Sequence, residues 1–126
     1  MNTYRHHKLT RKIIKAYYEV YNELGTGFLE SIYEKAMFIV LIDDCGLEVV
    51  AQESIEVQFR NRMIGKYQAD LLIENKVILE LKAVSKLIPE HKAQLINYLK
   101  ATDIEKGLLM NFGDQPEFKR FIFINE

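Results

Sequence analysis

Two apolar stretches joined by a short polar segment carry charged residues where a buried β-hairpin is expected. The first stretch contains Asp70, and the second contains Glu80 and Lys82. Successive side chains of a strand point to opposite faces, so Glu80 and Lys82 share one face of their strand. A charged side chain in an apolar strand is costly unless it is paired, bound to a metal or used in chemistry. This hairpin therefore constrains both the fold and the function more than any other part of the sequence.

The alternation of apolar residues along the hairpin predicts the length of its loop. The odd-numbered residues from 63 to 73 and from 77 to 83 are expected to face the core together. Residues directly opposite each other in an antiparallel pair point to the same face. A two-residue loop would put Asp70 and Glu80 on opposite faces, whereas a three-residue loop at 74–76 would place them directly opposite each other. The pattern therefore predicts the three-residue loop.

In that register Asp70, Glu80 and Lys82 lie on one polar patch. Two carboxylates at cross-strand distance repel, so one takes up a proton unless a cation lies between them. Oxygen ligands of this kind suit Mg²⁺ or Mn²⁺ rather than zinc. Such an ion could polarise a phosphate oxygen, and Lys82 could hold or help deprotonate an attacking water. The alternative is an ordinary cross-strand salt bridge between Lys82 and an acid.

The hydrophobic periodicity of the whole chain predicts a single α/β domain over residues 1–126. Helices are expected at residues 8–24, 28–45 and 89–101, and strands at 49–50, 55–59, 63–73, 77–83, 107–112 and 121–124. The order α-α-β-β-β-α-β-β predicts a central mixed sheet flanked by helices, with the N-terminal helix 8–24 packed on the core.

The second helix is expected to follow the break at residues 25–27, with Thr26 as its cap. Its core-facing stripe should consist of apolar residues at helical spacing, namely Leu29, Ile32, Ala36, Ile39 and Val40. Glu30 and Tyr33 are three residues apart, so they should share a different face. Glu30 also lies in the first turn, where the helix dipole alone favours an acid.

Composition narrows the classes of function. The formal net charge is -1, so no overall positive field points to nucleic acid. A local basic cluster is either a nucleic-acid-binding surface or a solvated helix face; it consists of Arg5, Lys8, Arg11, Lys12 and Lys15. The single cysteine, Cys45, excludes an intrachain disulfide. The polar N-terminus and the absence of a run of about 18 apolar residues predict a cytoplasmic protein without a membrane segment.

Three ordered motifs carry a resemblance to a known group of nucleases. Asp70 followed by Glu80-Leu81-Lys82 resembles the PD-(D/E)xK nuclease signature, with Ala69 where the name of that superfamily has proline. Residues 27–33, Gly-Phe-Leu-Glu-Ser-Ile-Tyr, match the motif of the GxxExxY family, a small branch of the superfamily. Residues 94–98, Gln-Leu-Ile-Asn-Tyr, match the QxxxY motif on the following helix of RecB-like and related nucleases.

The resemblance covers nearly the whole chain, because Asn111-Phe112-Gly113 and Lys119-Arg120 are similar to the C-terminal strand region of that family. It implies a restriction-endonuclease-like α-β-β-β-α-β core. It also implies hydrolysis of phosphodiester bonds in nucleic acid, with DNA favoured over RNA and Mg²⁺ (or Mn²⁺) as cofactor.

The resemblance further implies roles for individual residues. The metal ligands would be Asp70, Glu80, Glu30 and the backbone carbonyl of Leu81. Lys82 would serve the attacking water, and Gln94 would orient the site or contact the DNA backbone. The remaining positioning or nucleic-acid-binding candidates are Tyr98, Tyr33 and His91. A tyrosine in the position of Tyr33 more often serves core packing than chemistry, and a lone histidine such as His91 is more often an ordinary surface residue.

An alternative from a different class is a binding or protein-interaction module that keeps the nuclease fold without turnover. The chain is short, so little of it is left over to build a specificity element. A partner protein or a second copy, as in a homodimer, could therefore be required.

Overall fold

Five strands form one mixed sheet, and helices cover both of its faces. The structure, a computed structural model, describes residues 6–124. The strands are β1 (Val49–Phe59), β2 (Arg62–Ile73), β3 (Val77–Lys82), β4 (Lys106–Phe112) and β5 (Pro116–Ile122). They lie side by side in that order, with β3 and β4 parallel and the other neighbours antiparallel. The helices are α1 (His7–Leu24), α2 (Glu30–Ile39) and α3 (Pro89–Lys100), and a π-helical turn at Val40–Asp44 extends α2. The predicted fold class and order of elements are confirmed.

The β2–β3 hairpin has the predicted register. Ile73 lies opposite Val77, and Leu71 lies opposite Leu79, so the loop has three residues. The Lys76 N–H donates to the Ile73 carbonyl over 2.9 Å. The left-handed residues of the loop are Glu74, with φ 55°, and Asn75, with φ 53°.

Apolar side chains fill both faces of the sheet, and the prediction that all odd-numbered residues of β2 share one face is wrong. Leu71 packs beneath α1 and α2, whereas Ala69 packs with the cluster on the α3 side. The strand changes face at Asp70, where its pairing with β3 ends. On β1, Gln52 lies between the residues paired with Leu71 and Ala69, and its φ of 55° interrupts that strand at the same level.

Helix α2 buries a different stripe from the one predicted. Thr26 does not cap it, because the helix begins at Glu30 with Leu29 as its N-cap. Three residues of the expected core stripe are exposed: Leu29 (76%), Ile32 (39%) and Ile39 (57%). The fully buried residues are instead Tyr33, Met37 and Leu41, spaced four apart. The ring of Tyr33 stacks on Phe112 with centroids 4.0 Å apart, which fixes the rotation of the helix.

The remaining differences concern the ends of elements. The turn between β1 and β2 is formed by Arg60 and Asn61, both with positive φ, rather than by Asn61 and Arg62. Strand β5 begins at Pro116 instead of residue 121. In the predicted basic cluster, Arg5 lies outside the described residues, and the other four side chains are exposed on α1. No helix in the described part of the chain has the length and apolar character needed to cross a membrane.

The segment that follows β3 is held by the end of β4. Asn111 lies opposite Lys82 in the parallel pair. Its side chain accepts a hydrogen bond from the Val84 N–H at 3.0 Å and donates one to the Val84 carbonyl at 2.8 Å. Gly113 lies so close that an added Cβ would be 2.5 Å from the Val84 carbonyl oxygen. Asn111 and Gly113 therefore fix the backbone directly after Lys82.

Replacing Gly113 with alanine should destabilise the protein by about 1–3 kcal/mol, the usual cost of forcing extra volume into a packed site. Gly65→Ala is the matched control, because its Cβ would meet only the Val57 Cβ, at 3.9 Å. Urea denaturation of the two variants measures the difference. Equal stabilities would contradict a close contact between Gly113 and the segment after β3.

Candidate active site

The pairing of β2 with β3 ends at Leu71 and Leu79, and two acids lie at the next position. The Asp70 N–H donates to Oε2 of Glu80 over 2.6 Å, and the Leu81 N–H donates to Oδ2 of Asp70 over 2.8 Å. Side-chain carboxylates, rather than backbone carbonyls, thus accept these two N–H groups. The strands part here, and the two carboxylates are held beside each other in the gap.

Both carboxylates lie in surroundings that disfavour their charge. Glu80 is 4% exposed, and Asp70 is partly buried. Burial raises the pKa of Glu80 to about 8, and the charge of Asp70 adds to the rise. Burial likewise raises the pKa of Asp70 to about 6; the charges of Glu34 and Glu30 add to this rise, while the Leu81 N–H and Lys82 oppose it. A cation between the two would relieve the repulsion.

Helix α2 brings two further acids towards Asp70. Glu30 is exposed in the first turn of the helix, and Glu34 is half-buried one turn later. The charge of Glu34 raises the pKa of Asp70 more than that of Glu30 does. Oε1 of Glu34 accepts a hydrogen bond from Nε2 of Gln52 over 2.8 Å. Sequence reasoning missed Glu34, although its spacing of four from Glu30 puts both acids on one side of the helix.

On the other side of the gap, Lys82 contacts helix α3. Its Nζ donates to Oε1 of Gln94 over 3.5 Å, and Gln94 also hydrogen-bonds Tyr98. The charge of Lys82 also acts on both acids, because it opposes the rise in the pKa of Asp70 and of Glu80. Burial raises the pKa of Tyr98 to about 12, and the charges of Glu80 and Asp70 add to the rise. Tyr98 therefore keeps its proton at neutral pH.

The other two predicted residues, Tyr33 and His91, form hydrogen bonds with the backbone. Tyr33 is fully buried, so it cannot itself contact nucleic acid. Its hydroxyl donates to the Gly25 carbonyl over 2.6 Å and accepts from the Phe28 N–H over 3.3 Å, which ties down the loop before Glu30. Nδ1 of His91 accepts from the Ile88 N–H over 3.2 Å at the start of α3. His91 thus has a structural role as a cap at the N-terminus of α3.

The donor set fits a hard divalent ion, although the ligands are not gathered into a complete site. Within residues 6–124, no three His, Cys, Asp or Glu side chains are placed so that they could hold a metal ion together. One oxygen each of Asp70 and Glu80 accepts a strand N–H, which leaves the second oxygen of each for a ligand. The N–H and C=O of one strand residue point to the same side, so the Leu81 carbonyl faces the same gap as its N–H. Carboxylate and carbonyl oxygens suit Mg²⁺ or Mn²⁺.

The raised pKa values predict that the metal-free protein becomes less stable as pH rises. In the folded state Asp70 and Glu80 bind protons more tightly than in the unfolded chain, so their contribution is fully present below about pH 4. It is lost as pH rises through the folded-state values of about 6 and about 8. Urea denaturation in EDTA should therefore give a lower free energy of unfolding at pH 8 than at pH 5. The difference should largely disappear in Glu80→Gln, and a wild type equally stable at both values would contradict the assignment.

Comparisons with known proteins agree with this architecture. No curated protein matches the chain in sequence. The crystal structure of SSO0001 is similar, with a TM-score of 0.61 at 20% identity over 76% of this chain and 52% of the other. The chain thus spans about half the length of that protein, and the likeness shows the fold alone. The family profile of the PD-(D/E)XK nuclease superfamily matches residues 7–121. The chain therefore belongs to the PD-(D/E)XK nuclease superfamily.

Proposed function

We propose that the protein is a Mg²⁺-dependent nuclease that hydrolyses phosphodiester bonds in DNA. The observation that carries the proposal is a pair of carboxylates, buried Glu80 and partly buried Asp70, held side by side where β2 and β3 part. Each has a raised pKa, so the charged pair is unfavourable until a cation neutralises it. Lys82 and Gln94 border the same gap.

In this proposal Asp70, Glu80 and the Leu81 carbonyl hold Mg²⁺ (or Mn²⁺), and Glu30 contributes from α2. Glu34 adds to the negative potential that attracts the ion, since its charge already acts on both Asp70 and Glu80. When bound, the ion supplies charge neutralisation at a phosphate oxygen and lowers the pKa of a coordinated water.

The residues on the α3 side position the reacting groups. Lys82 donates hydrogen bonds to the attacking water or to the phosphate, where its positive charge stabilises the negative charge that develops. Gln94 accepts from the Lys82 ammonium and so limits its orientation. Tyr98 stays protonated and hydrogen-bonds Gln94. Tyr33 has a positioning role, because it fixes the loop from which Glu30 enters the site.

We assign the protein to the GxxExxY branch on its motif at residues 27–33. Gly27 has φ 103°, a conformation that favours glycine, and Tyr33 holds the loop that contains it. Gly27 and Tyr33 thus both shape the loop that precedes Glu30, the acid of the motif. Cytoplasmic location stays a prediction from sequence.

One observation favours the alternative of an inactive binding module. Among the described residues no third side chain joins Asp70 and Glu80 in a ready-made metal site. Under that alternative the protein would bind nucleic acid without cleaving it, alone or with a partner protein or second copy.

The test is cleavage of end-labelled DNA by the purified protein in Mg²⁺, in Mn²⁺ and in EDTA, with calorimetric titration of Mg²⁺ beside it. The proposal expects metal binding and cleavage that EDTA abolishes. Nucleic-acid binding without cleavage in either metal would establish the alternative instead. Substitutions in the site then separate true activity from a contaminating nuclease.

A further inference from the structure

An open groove runs between α3 and the part of the β1–β2 ribbon that extends beyond β3. Residues 62–69 of β2 pair only with β1, because the pairing with β3 covers Leu71 to Ile73. Two adjoining hollows of about 440 and 410 Å³ make up the groove, and both are lined by Tyr67 and Asn97. The hollow of about 440 Å³ is also lined by Gln94, which contacts Lys82. The groove therefore leads directly to the candidate active site.

Tyr67 presents an aromatic ring in the middle of this groove. Its side chain is 47% exposed, although it is large and mostly apolar. On its inner side the ring rests against Tyr98, with centroids 5.5 Å apart and planes inclined by 45°. Tyr98 is itself buried, so it supports Tyr67 and leaves the outer side of the ring open. A supported aromatic ring with one open side is the feature on which unpaired bases stack.

The charges along the groove do not suit a rigid duplex. Proteins that follow a duplex backbone place several Lys or Arg side chains against its phosphates. Here the lining has one cation, Lys100, and two acids, Glu56 and Glu90. Besides the two tyrosines, the other polar lining residues are amides and an imidazole: Gln58, His91, Gln94 and Asn97. Unpaired bases can stack on aromatic rings and form hydrogen bonds with side chains of this kind through their exposed edges. The lining therefore favours a strand whose bases are unpaired.

We propose that this groove binds a single strand of nucleic acid and that Tyr67 stacks a base next to the phosphate at Lys82. The inference rests on the proposed function for the identity of the site. It adds that the substrate is single-stranded and that Tyr67 selects for this. Tyr67 acts here by direct contact with the substrate, whereas Tyr98 positions the ring of Tyr67.

The first test is fluorescence anisotropy in EDTA with a short labelled single strand and a duplex of the same sequence. Wild type should prefer the single strand. Tyr67→Ala should weaken single-strand binding about tenfold, and Tyr67→Phe, which keeps the ring, should stay within about twofold of wild type. Ile64→Ala is the matched control, because Ile64 is 65% exposed on the same strand and lines neither hollow. Its affinity should not change.

A second test uses the absence of tryptophan from the chain. Tyr67→Trp places a single fluorescent reporter in the groove. Its emission should be quenched by the normal single strand, because a base stacks on the ring. Quenching should be much smaller with a strand that lacks bases and with the duplex.

Failure of this inference can be distinguished from failure of the proposed nuclease activity. Single-strand binding that depends on the Tyr67 ring, without any cleavage, would support the inference and count against the nuclease. Preference for duplex, no detectable binding by wild type, or equal single-strand affinity of wild type and Tyr67→Ala would each overturn the inference, even if the protein cleaves DNA in Mg²⁺.

Discussion

Replacing Asp70 with asparagine is expected to reduce Mg²⁺-dependent cleavage by about two to three orders of magnitude, the usual effect of removing one preorganised charge from an active site. The amide has nearly the shape of the carboxylate and can still accept the Leu81 N–H, so the strands should remain joined. It carries no charge, so the repulsion that raises the pKa of Glu80 disappears. The variant should therefore be more stable than wild type at pH 8 without metal, and it should bind Mg²⁺ more weakly. Cleavage rates, urea denaturation in EDTA and calorimetry measure the three effects.

Lys82→Ala provides a second, independent disruption of the same site. It should lose activity to a similar extent while retaining Mg²⁺ binding, because Lys82 is assigned to the water or phosphate and not to the metal. Lys86→Ala is the matched control, since Lys86 is exposed four residues further along the chain. Full activity in both Asp70→Asn and Lys82→Ala would show that the cleavage arises elsewhere or from a contaminant.

The centre of the site was predictable from sequence because it depends on local alternation. A strand has a side-chain period of two, so a loop of the wrong length would move Val77, Leu79 and Leu81 to the opposite face of the sheet, away from the cluster under α1 and α2. The pairing of Ile73 with Val77 follows from this constraint alone, and it brings Asp70 level with Glu80. What alternation could not show is that the ladder stops at that level. The carboxylates accept the strand N–H groups themselves, which depends on how the two strands separate in space.

The acids on α2 were less predictable because the rotation of a helix depends on its tertiary partners. Apolar residues lie almost all round α2, so periodicity did not single out the buried face. Stacking of Tyr33 on Phe112 selects that face, and the two residues are far apart in sequence. Leu29 and Ile32 are consequently exposed, and Glu34 lies where its charge acts on Asp70. The contact between Gln52 and Glu34 had no signal in the sequence, because it depends on the positive φ of Gln52.

Tyr33→Ala is expected to cause the largest loss of stability among single substitutions near the site, about 3–5 kcal/mol, as for other fully buried aromatic residues. Tyr33 is 0% exposed, and its ring lies 4.0 Å from that of Phe112 with planes inclined by 8°. A loss of that size is a large part of the 5–15 kcal/mol that typically separates folded from unfolded domains. Urea denaturation measures it, with Tyr18→Ala as the control, because Tyr18 is 39% exposed on α1. The control should lose about 1 kcal/mol.

Tyr33→Phe separates the packing of the ring from the hydrogen bonds of its hydroxyl. The ring stack on Phe112 is kept, so the loss of stability should be only about 1–2 kcal/mol. The bonds to Gly25 and Phe28 are lost, so the loop before Glu30 is no longer fixed. Because Glu30 is assigned to the metal site, Mg²⁺ affinity and cleavage should fall more than stability does. Unchanged Mg²⁺ affinity in this variant would show that the tyrosine serves the core alone and that Glu30 does not depend on it.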